Sequence, residues 1–388
     1  MTLNNLTIII ITSFLISCSS NKKSDFSQLK EELDGQLEVL VKAIPEDKVP
    51  RSFPNKDKGY WMVGINDWTC GFPAGSFWLM YEMTNKDFWK EAALKNTLKL
   101  DGVQNKTNTH DLGFMVFCSY GNAYRLTGNE EYKKVILQAS ESLLTRFNPK
   151  IGCIRSWDHN RDKWDYPVII DNMMNLEVLF WASEVTGNPK FKDVAVSHAD
   201  ITLKNHFRDD WSSYHVVSYD TLTGDPVIKQ THQGLNDESA WGRGQAWGLY
   251  GYTMCYRKTR DTKYLSAAEN IGNYILDNLP EDKVSFWDFN DPNIPNTNRD
   301  ASAAAIMASA FYELSTFSGT GSIYLDAANS IVESLTSENY RAKDGSNGGF
   351  LLRHSVGHKP GKSEIDVAIN YADYYYLEAL KRKHELSR

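Results

Sequence analysis

DLGFMVFCSYGNAYRLTGNEEYKKVILQASESLLTRF, residues 111–147, decides the fold. Two apolar stretches of helical length, residues 112–126 and 132–147, flank a pair of residues five apart, Thr127 and Tyr132. The same spacing returns at Thr84 and Trp89, Thr186 and Phe191, and Thr259 and Tyr264, with a degenerate copy at Gly319 and Tyr324. Successive copies lie 43, 59, 73 and 60 residues apart. Recurrence of one unit over several copies is the signature of a helical-hairpin array.

The hairpins are predicted at 70–84 with 87–100, 111–127 with 130–147, 172–186 with 189–206, 240–259 with 262–279, and 301–317 with 322–337. Single helices at 26–44 and 365–384 bring the number to twelve and form a sixth hairpin if the chain ends meet. That closes a ring: an all-α (α/α)6 toroid, or six-hairpin barrel, with no terminal repeat left to cap. The first helix of each hairpin is the more apolar and richer in small residues, as in ASAAAIMASA at 301–310, so it is the inner one. The long connections, 148–170, 207–239, 280–300 and 338–363, then gather on one rim with the inner-helix N-termini. Loops over a rigid scaffold are where sites are built, and converging helix N-termini favour a bound carboxylate.

Composition narrows the function. The chain has 388 residues, 41% hydrophobic and 23% charged, with a formal charge of −7, which gives no basic face for nucleic acid. Aromatic residues make up 12%, including 11 Trp, an excess that suits stacking on sugar rings. Residues 1–17 carry no charged side chain and an apolar run at 8–16, too short to span a bilayer, followed by Leu15-Ile16-Ser17-Cys18. This is the pattern of a lipoprotein signal peptide cleaved before Cys18, which is then acylated; an ordinary signal peptide is the alternative. The expected organisation is a signal at 1–17, a polar tether at 18–25 and one catalytic domain over 26–388. The protein is expected to be exported, held to a membrane only by lipid on Cys18, at the periplasmic or cell-surface side. Cys70, Cys118, Cys153 and Cys255 form no CxxC pair and read as buried free thiols, with one disulfide as the alternative.

Each inner helix is preceded by polar residues: Asp67-Trp68, His110-Asp111, Asp171-Asn172, Arg243, Arg299-Asp300 and Glu364-Ile365-Asp366. One such Asp is ordinarily a cap. Six facing a single cavity are not, and Asp111 and Asp171 run directly into LGFMVF and NMMNLEVLFW. Apolar surroundings and a like charge raise one carboxyl's pKa, as acid catalysis near neutrality requires. Arg243 and Trp247, four apart, share a helix face and read either as a seat for a carboxylate-bearing sugar or as a buried Arg paired with an acid. The glycines around them make no dinucleotide fingerprint, and His354 and His358 fall in a loop without an accompanying Glu, so neither a cofactor nor a metal is expected.

At these residues the chain resembles the unsaturated glucuronyl hydrolases of glycoside hydrolase family 88. The resembling segments are WTCGFPAG (68–75), NTHDLGF (108–114), IDNMMN (170–175), THQGLNDESAWGRGQAW (231–247), HSVGHKP (354–360) and SEIDVAINYADYY (363–375). The resemblance implies removal of a 4,5-unsaturated uronic acid from the non-reducing end of lyase-made oligosaccharides, by hydration of a vinyl ether. It implies Asp171 as general acid/base and Asp111 as the second essential acid. It implies substrate contacts at His110, His215, Gln233, Arg243 and Trp247, with stacking by Trp68 and Trp157. His354 and Lys359, with His358 and Lys362, read either as contacts to a sulfate or as solvated loop charges. Competing readings are an unsaturated rhamnogalacturonyl hydrolase acting on pectin fragments and a non-catalytic glycan-binding lipoprotein.

Overall fold

The computed structural model describes residues 25–388; the signal segment, Cys18 and the polar tether up to residue 24 lie outside the described residues. Twelve α-helices follow: α1 (Asp25–Ala43), α2 (Phe72–Thr84), α3 (Asp87–Leu98), α4 (Asn122–Thr127), α5 (Glu130–Leu144), α6 (Glu177–Thr186), α7 (Pro189–Asn205), α8 (Gly242–Thr259), α9 (Thr262–Asn278), α10 (Ala301–Leu314), α11 (Gly321–Thr336) and α12 (Asn370–Leu386). Two inner helices begin in other windings: a π-helix, Gly113–Gly121, runs into α4, and a 3-10 helix, Ile170–Asn175, precedes α6.

The repeat has a local cause. Thr84, Thr127, Thr186 and Thr259 each end an inner helix by donating from Oγ1 to the carbonyl four residues back, at 2.6–2.8 Å. Each Oγ1 also accepts the N–H two residues on. The residue between is left-handed (Asn85, Gly128, Gly187, Arg260), which reverses the chain. Asn129, Asn188 and Asp261 then cap the outer helix by accepting from the N–H two residues further. The aromatic that follows (Trp89, Tyr132, Phe191, Tyr264) is buried and pins the outer helix to the inner one. In the fifth copy Ser318 accepts from the N–H of Thr320 in place of the threonine.

The inner ring closes. In order, α2, the π-helix with α4, the 3-10 helix with α6, α8, α10 and α12 each pack on the next, and α12 packs back on α2. Helix α10 is buried from Ala301 to Tyr312, its small residues letting it lie between α8 and α12. The outer helices α5, α9 and α11 are amphipathic, with buried residues recurring every three or four positions. Helix α1 meets α12 through Phe26 stacked on His384 at 4.4 Å, completing the sixth hairpin. The fold is the (α/α)6 barrel.

The rim departs from the expected loops, because it carries strands. Strand β1 (Val49–Asn55) pairs with β2 (Gly59–Val63), β3 (Phe147–Asn148) with β4 (Cys153–Ile154), and β5 (Tyr166–Ile169) with β6 (Val216–Tyr219), which pairs with β7 (Pro226–Gln230). Strand β8 (Ser355–His358) pairs with β9 (Ser363–Ile369), which pairs with β1. The last helix therefore starts at Asn370 and not near 365: residues 363–369 find backbone partners in two strands, one of them more than 300 residues away. Glu364 and Asp366 sit on β9, and His358 ends β8 rather than lying in a loop. The four cysteines Cys70, Cys118, Cys153 and Cys255 are free thiols.

Candidate active site

Asp111 and Asp171 are brought together by the abutment of the two irregular windings. Gly113 lies so close to Asn175 that a Cβ would fall 2.6 Å from the Asn175 Cα, and the Phe114 N–H donates to Asn175 Oδ1 at 3.0 Å. Irregular turns inside helices recur at functional sites, and here they aim two carboxylates. Asp111 is held by Thr109 Oγ1, which donates to its Oδ2 at 3.0 Å, and by His110, whose Nε2 lies 3.3 Å from its Oδ1. Burial keeps His110 below its ordinary pKa, hence neutral at pH 7.

Asp171 is placed by the β5–β6 ladder. Ile169 pairs with Val216, and the Ile170 N–H donates to the His215 carbonyl at 3.0 Å, so Asp171 comes next to His215. The Asp171 Oδ2 is buried without a hydrogen-bond partner, 3.6 Å from His215 Nε2. His215 Nδ1 accepts the backbone N–H groups of His232 and Gln233, both at 3.1 Å. That occupies the Nδ1 lone pair and leaves the proton on Nε2, facing Asp171. Burial, with neighbouring His232 and Arg243, drives the His215 pKa well down, so the ring is a neutral donor.

The Asp171 pKa is raised to about 7. Desolvation is the main cause; the charge of Asp111 adds to it, while Arg243 and the indole of Trp247 oppose it. Asp111 is thus near enough for its charge to act on Asp171.

The other expected residues divide. Trp157 stands beside His215 (5.7 Å between ring centres) and His232 (5.3 Å), and Trp68 packs on Phe114 and Tyr371. Both are half-buried. Trp247 is wholly buried against Phe114 and Tyr375, forming a floor beneath Asp171. Gln233 donates from Nε2 to the Gly357 carbonyl at 3.1 Å, tying the β8–β9 hairpin to the site. Of the two readings of Arg243, the buried pair is what the structure shows: it is 1% exposed and bonds Asp300 Oδ2 at 3.0 Å and the carbonyls of Val356 and Gly357.

His354 and Lys359 are engaged elsewhere. His354 Nδ1 meets Asp366 Oδ1 at 2.6 Å; Lys359 donates to Thr297 Oγ1 at 2.8 Å and reaches Asp291 at 3.4 Å. His358 bonds the His232 carbonyl at 3.0 Å, and among the described residues no group of three potential ligands is placed for a metal ion.

Sequence reasoning missed three contributors. His232 bridges Trp157 and His358. Tyr371, one residue into α12, is buried with an unpartnered hydroxyl and carries Arg243 over its ring at 5.3 Å. Arg51 joins Asp67 (2.7 Å) to Glu364 (2.6 Å). Tyr371 stands inside the SEIDVAINYADYY segment and could have been noticed; nothing around Arg51 signals its partners.

Residues 46–256 match the family described as Glycosyl Hydrolase Family 88. An unsaturated glucuronyl hydrolase of Formosa agariphila is 44% identical, covering 98% of each chain. An unsaturated chondroitin disaccharide hydrolase of Streptococcus pneumoniae is 36% identical over 93% of this chain and 92% of its own. A solved unsaturated glucuronyl hydrolase described as specific for heparin superposes with a TM-score of 0.91 at 48% identity, over 93% of this chain and 97% of that one. The chain therefore belongs to glycoside hydrolase family 88, as an enzyme of the unsaturated glucuronyl hydrolase kind.

Proposed function

We propose that the enzyme removes the 4,5-unsaturated uronic acid from the non-reducing end of lyase-generated oligosaccharides, with Asp171 as general acid and then base. The observation that carries this is the buried, unpartnered Oδ2 of Asp171, facing the Nε2–H of His215 and raised to about 7. A carboxyl in that condition still holds a proton near neutrality.

The Asp171 proton is delivered to C4 of the vinyl ether, leaving positive charge at C5 shared with the ring oxygen. Water adds at C5 and gives its proton to the Asp171 carboxylate, which restores the acid. The resulting hemiketal opens by breaking the bond from C5 to the ring oxygen, giving a C5 ketone. The hemiacetal left at C1 then expels the remaining sugar, so one water is consumed and no glycosyl–enzyme bond forms. Asp111, oriented by Thr109 and His110, holds ring hydroxyls and maintains the like charge beside Asp171. His215 steadies the carboxylate formed after proton transfer, and Trp68 and Trp157 flank the sugar.

The substrate class is glycosaminoglycan-derived unsaturated oligosaccharide, in line with the heparin and chondroitin activities named for relatives. Sulfated fragments or ulvan fragments are the finer proposal. His354, His358 and Lys359 already have partners within the chain, whereas Lys362 is exposed and has no ion-pair partner among the described residues. Lys362 is therefore the cation of this hairpin best placed for a sulfate. Acylation at Cys18 and export remain part of the proposal; a Cys18→Ala variant should leave the membrane fraction.

The test is loss of ultraviolet absorbance from the C4=C5 bond across a panel of unsaturated disaccharides. Asp171→Asn should fold and lose at least about a thousandfold in kcat. Retention of more than a few percent of turnover would remove Asp171 from the role.

A further inference from the structure

Asp300 is completely buried and bonds three separate elements. Its Oδ1 accepts the Ser302 N–H (3.1 Å), the Ser302 hydroxyl (2.5 Å) and the Val356 N–H (3.2 Å); its Oδ2 accepts Arg243 Nη1 (3.0 Å). It thus caps α10, anchors β8 and neutralises Arg243 at the start of α8. Arg243 in turn binds the Val356 and Gly357 carbonyls, so acid, guanidinium and hairpin form one closed network.

Arg243 faces Asp171 from the 3-10 segment, Asp300 from the α10 cap, Glu364 from β9 and Tyr371 from α12. Asp171 faces Arg243, Asp111, His215 and Trp247. A bare guanidinium beside the acid would favour its ionised form and empty it of the proton that the reaction needs. An acid poised near neutrality next to an arginine therefore requires a counter-charge fixed on that arginine.

We propose that Asp300 is a positioning residue of this reaction: by fixing Arg243 and balancing its charge it keeps Asp171 protonated, and by the same bonds it seats the β8–β9 hairpin against α8 and α10. This rests on Asp171 being the acid. Asp300 is wholly buried and its bonds go to Ser302, Val356 and Arg243, so its effect runs through Arg243 and the hairpin.

The decisive variant is Asp300→Asn, which keeps the cap because Asn also accepts from N–H groups, but removes the charge. The expected result is an alkaline limb of kcat/KM moved to lower pH by about one unit, hence activity above that limb down about tenfold. Trp247 fluorescence against pH, read without substrate, should show the same displacement, since the indole faces Asp171. A purely structural role predicts a uniform loss with the limb unmoved, and that result overturns the proposal. If Asp300→Asn does not fold, the double variant R243Q/D300N removes the pair together. Arg243 is the nearer charge, so its limb should move to higher pH than wild type; a limb that stays or falls overturns the proposal as well. Failure of the underlying reading is distinguishable: wild type itself would then show no limb near neutrality.

Discussion

Replacing Asp171 by Asn should stabilise the protein while it abolishes turnover, and the gain should depend on pH. The carboxyl moves from 3.8 to about 7 on folding, a rise of about 3 units caused chiefly by desolvation. At about 1.4 kcal/mol per unit, this costs the folded state about 4 kcal/mol once the group is ionised in the unfolded chain. Between the two values the folded chain holds a proton that the unfolded chain has lost, so this contribution to stability falls as pH rises from about 4 to about 7. Above about 7 it is flat. An Asn of the same size carries no such cost. Below about pH 4 the variant and wild type should unfold at the same urea concentration. From pH 5 to 7 they should diverge, and at pH 8 the variant should be more stable by up to about 4 kcal/mol. Urea unfolding of both proteins at five or six pH values measures this directly. A difference independent of pH, or a variant less stable at pH 8, would show that Asp171 is not a desolvated acid and would refute the electrostatic basis of the mechanism.

Three further substitutions test the geometry. His215→Phe keeps the ring's bulk but strands the N–H groups of His232 and Gln233 and removes the donor facing Asp171. It should cost about 2 kcal/mol in urea unfolding and at least about tenfold in kcat; full activity would exclude any part for His215. Gly113→Ala forces a methyl to 2.6 Å from Asn175 and should destabilise by about 1–3 kcal/mol while parting the two acid-bearing segments, whereas Gly35→Ala, in α1 with nothing within 4 Å, should stabilise by about 0.5–1 kcal/mol. Equal effects at the two glycines, measured in the same unfolding series, would mean that the close approach at residue 113 is not what joins the site.

What the sequence discloses is what short-range chemistry encodes. The Thr–aromatic spacing is legible because the motif lies wholly within ten residues: a hydroxyl bonded four residues back, a left-handed residue, an outer-helix cap and an anchoring ring. Asp111 and Asp171 are legible because each directly precedes an apolar run. The β9 strand is not, since its stability comes from β8 and β1 rather than from SEIDVAI itself. The π-winding of residues 113–121 is likewise invisible, because an apolar run reads the same for either helix. Arg243 meets Asp300 57 residues away and Arg51 meets Glu364 313 residues away, so the sequence shows the cations but not these counter-charges. Lys359 and His354 read as free for the same reason: Asp291 and Asp366 become their partners only when the rim is folded.

Burial alone does not make an acid catalyst, and the other end of the same barrel shows why. There a cavity of about 510 Å³ is lined by Glu177, Tyr250, Arg257, Glu378 and Arg382. Arg257 donates to Glu177 at 2.9 Å and forms an ion pair with Glu313 at 2.6 Å, and Arg382 reaches Glu313 at 2.9 Å. Burial pushes Glu177 up, but Arg257 and Lys258 outweigh it and hold its carboxyl below the ordinary value. Asp171 differs: among the described residues the cation acting on it is Arg243, itself already neutralised by Asp300, and a like charge lies nearby at Asp111. So Glu177 stays ionised and serves structure at this end, while Asp171 at the rim keeps its proton. Glu313→Gln should therefore destabilise by about 3 kcal/mol, because it leaves Arg257 and Arg382 short of charge, yet leave the pH dependence of turnover where it was. A shift in that profile would mean that the two ends of the barrel are electrostatically coupled, and that the poise of Asp171 cannot be assigned to its immediate neighbours.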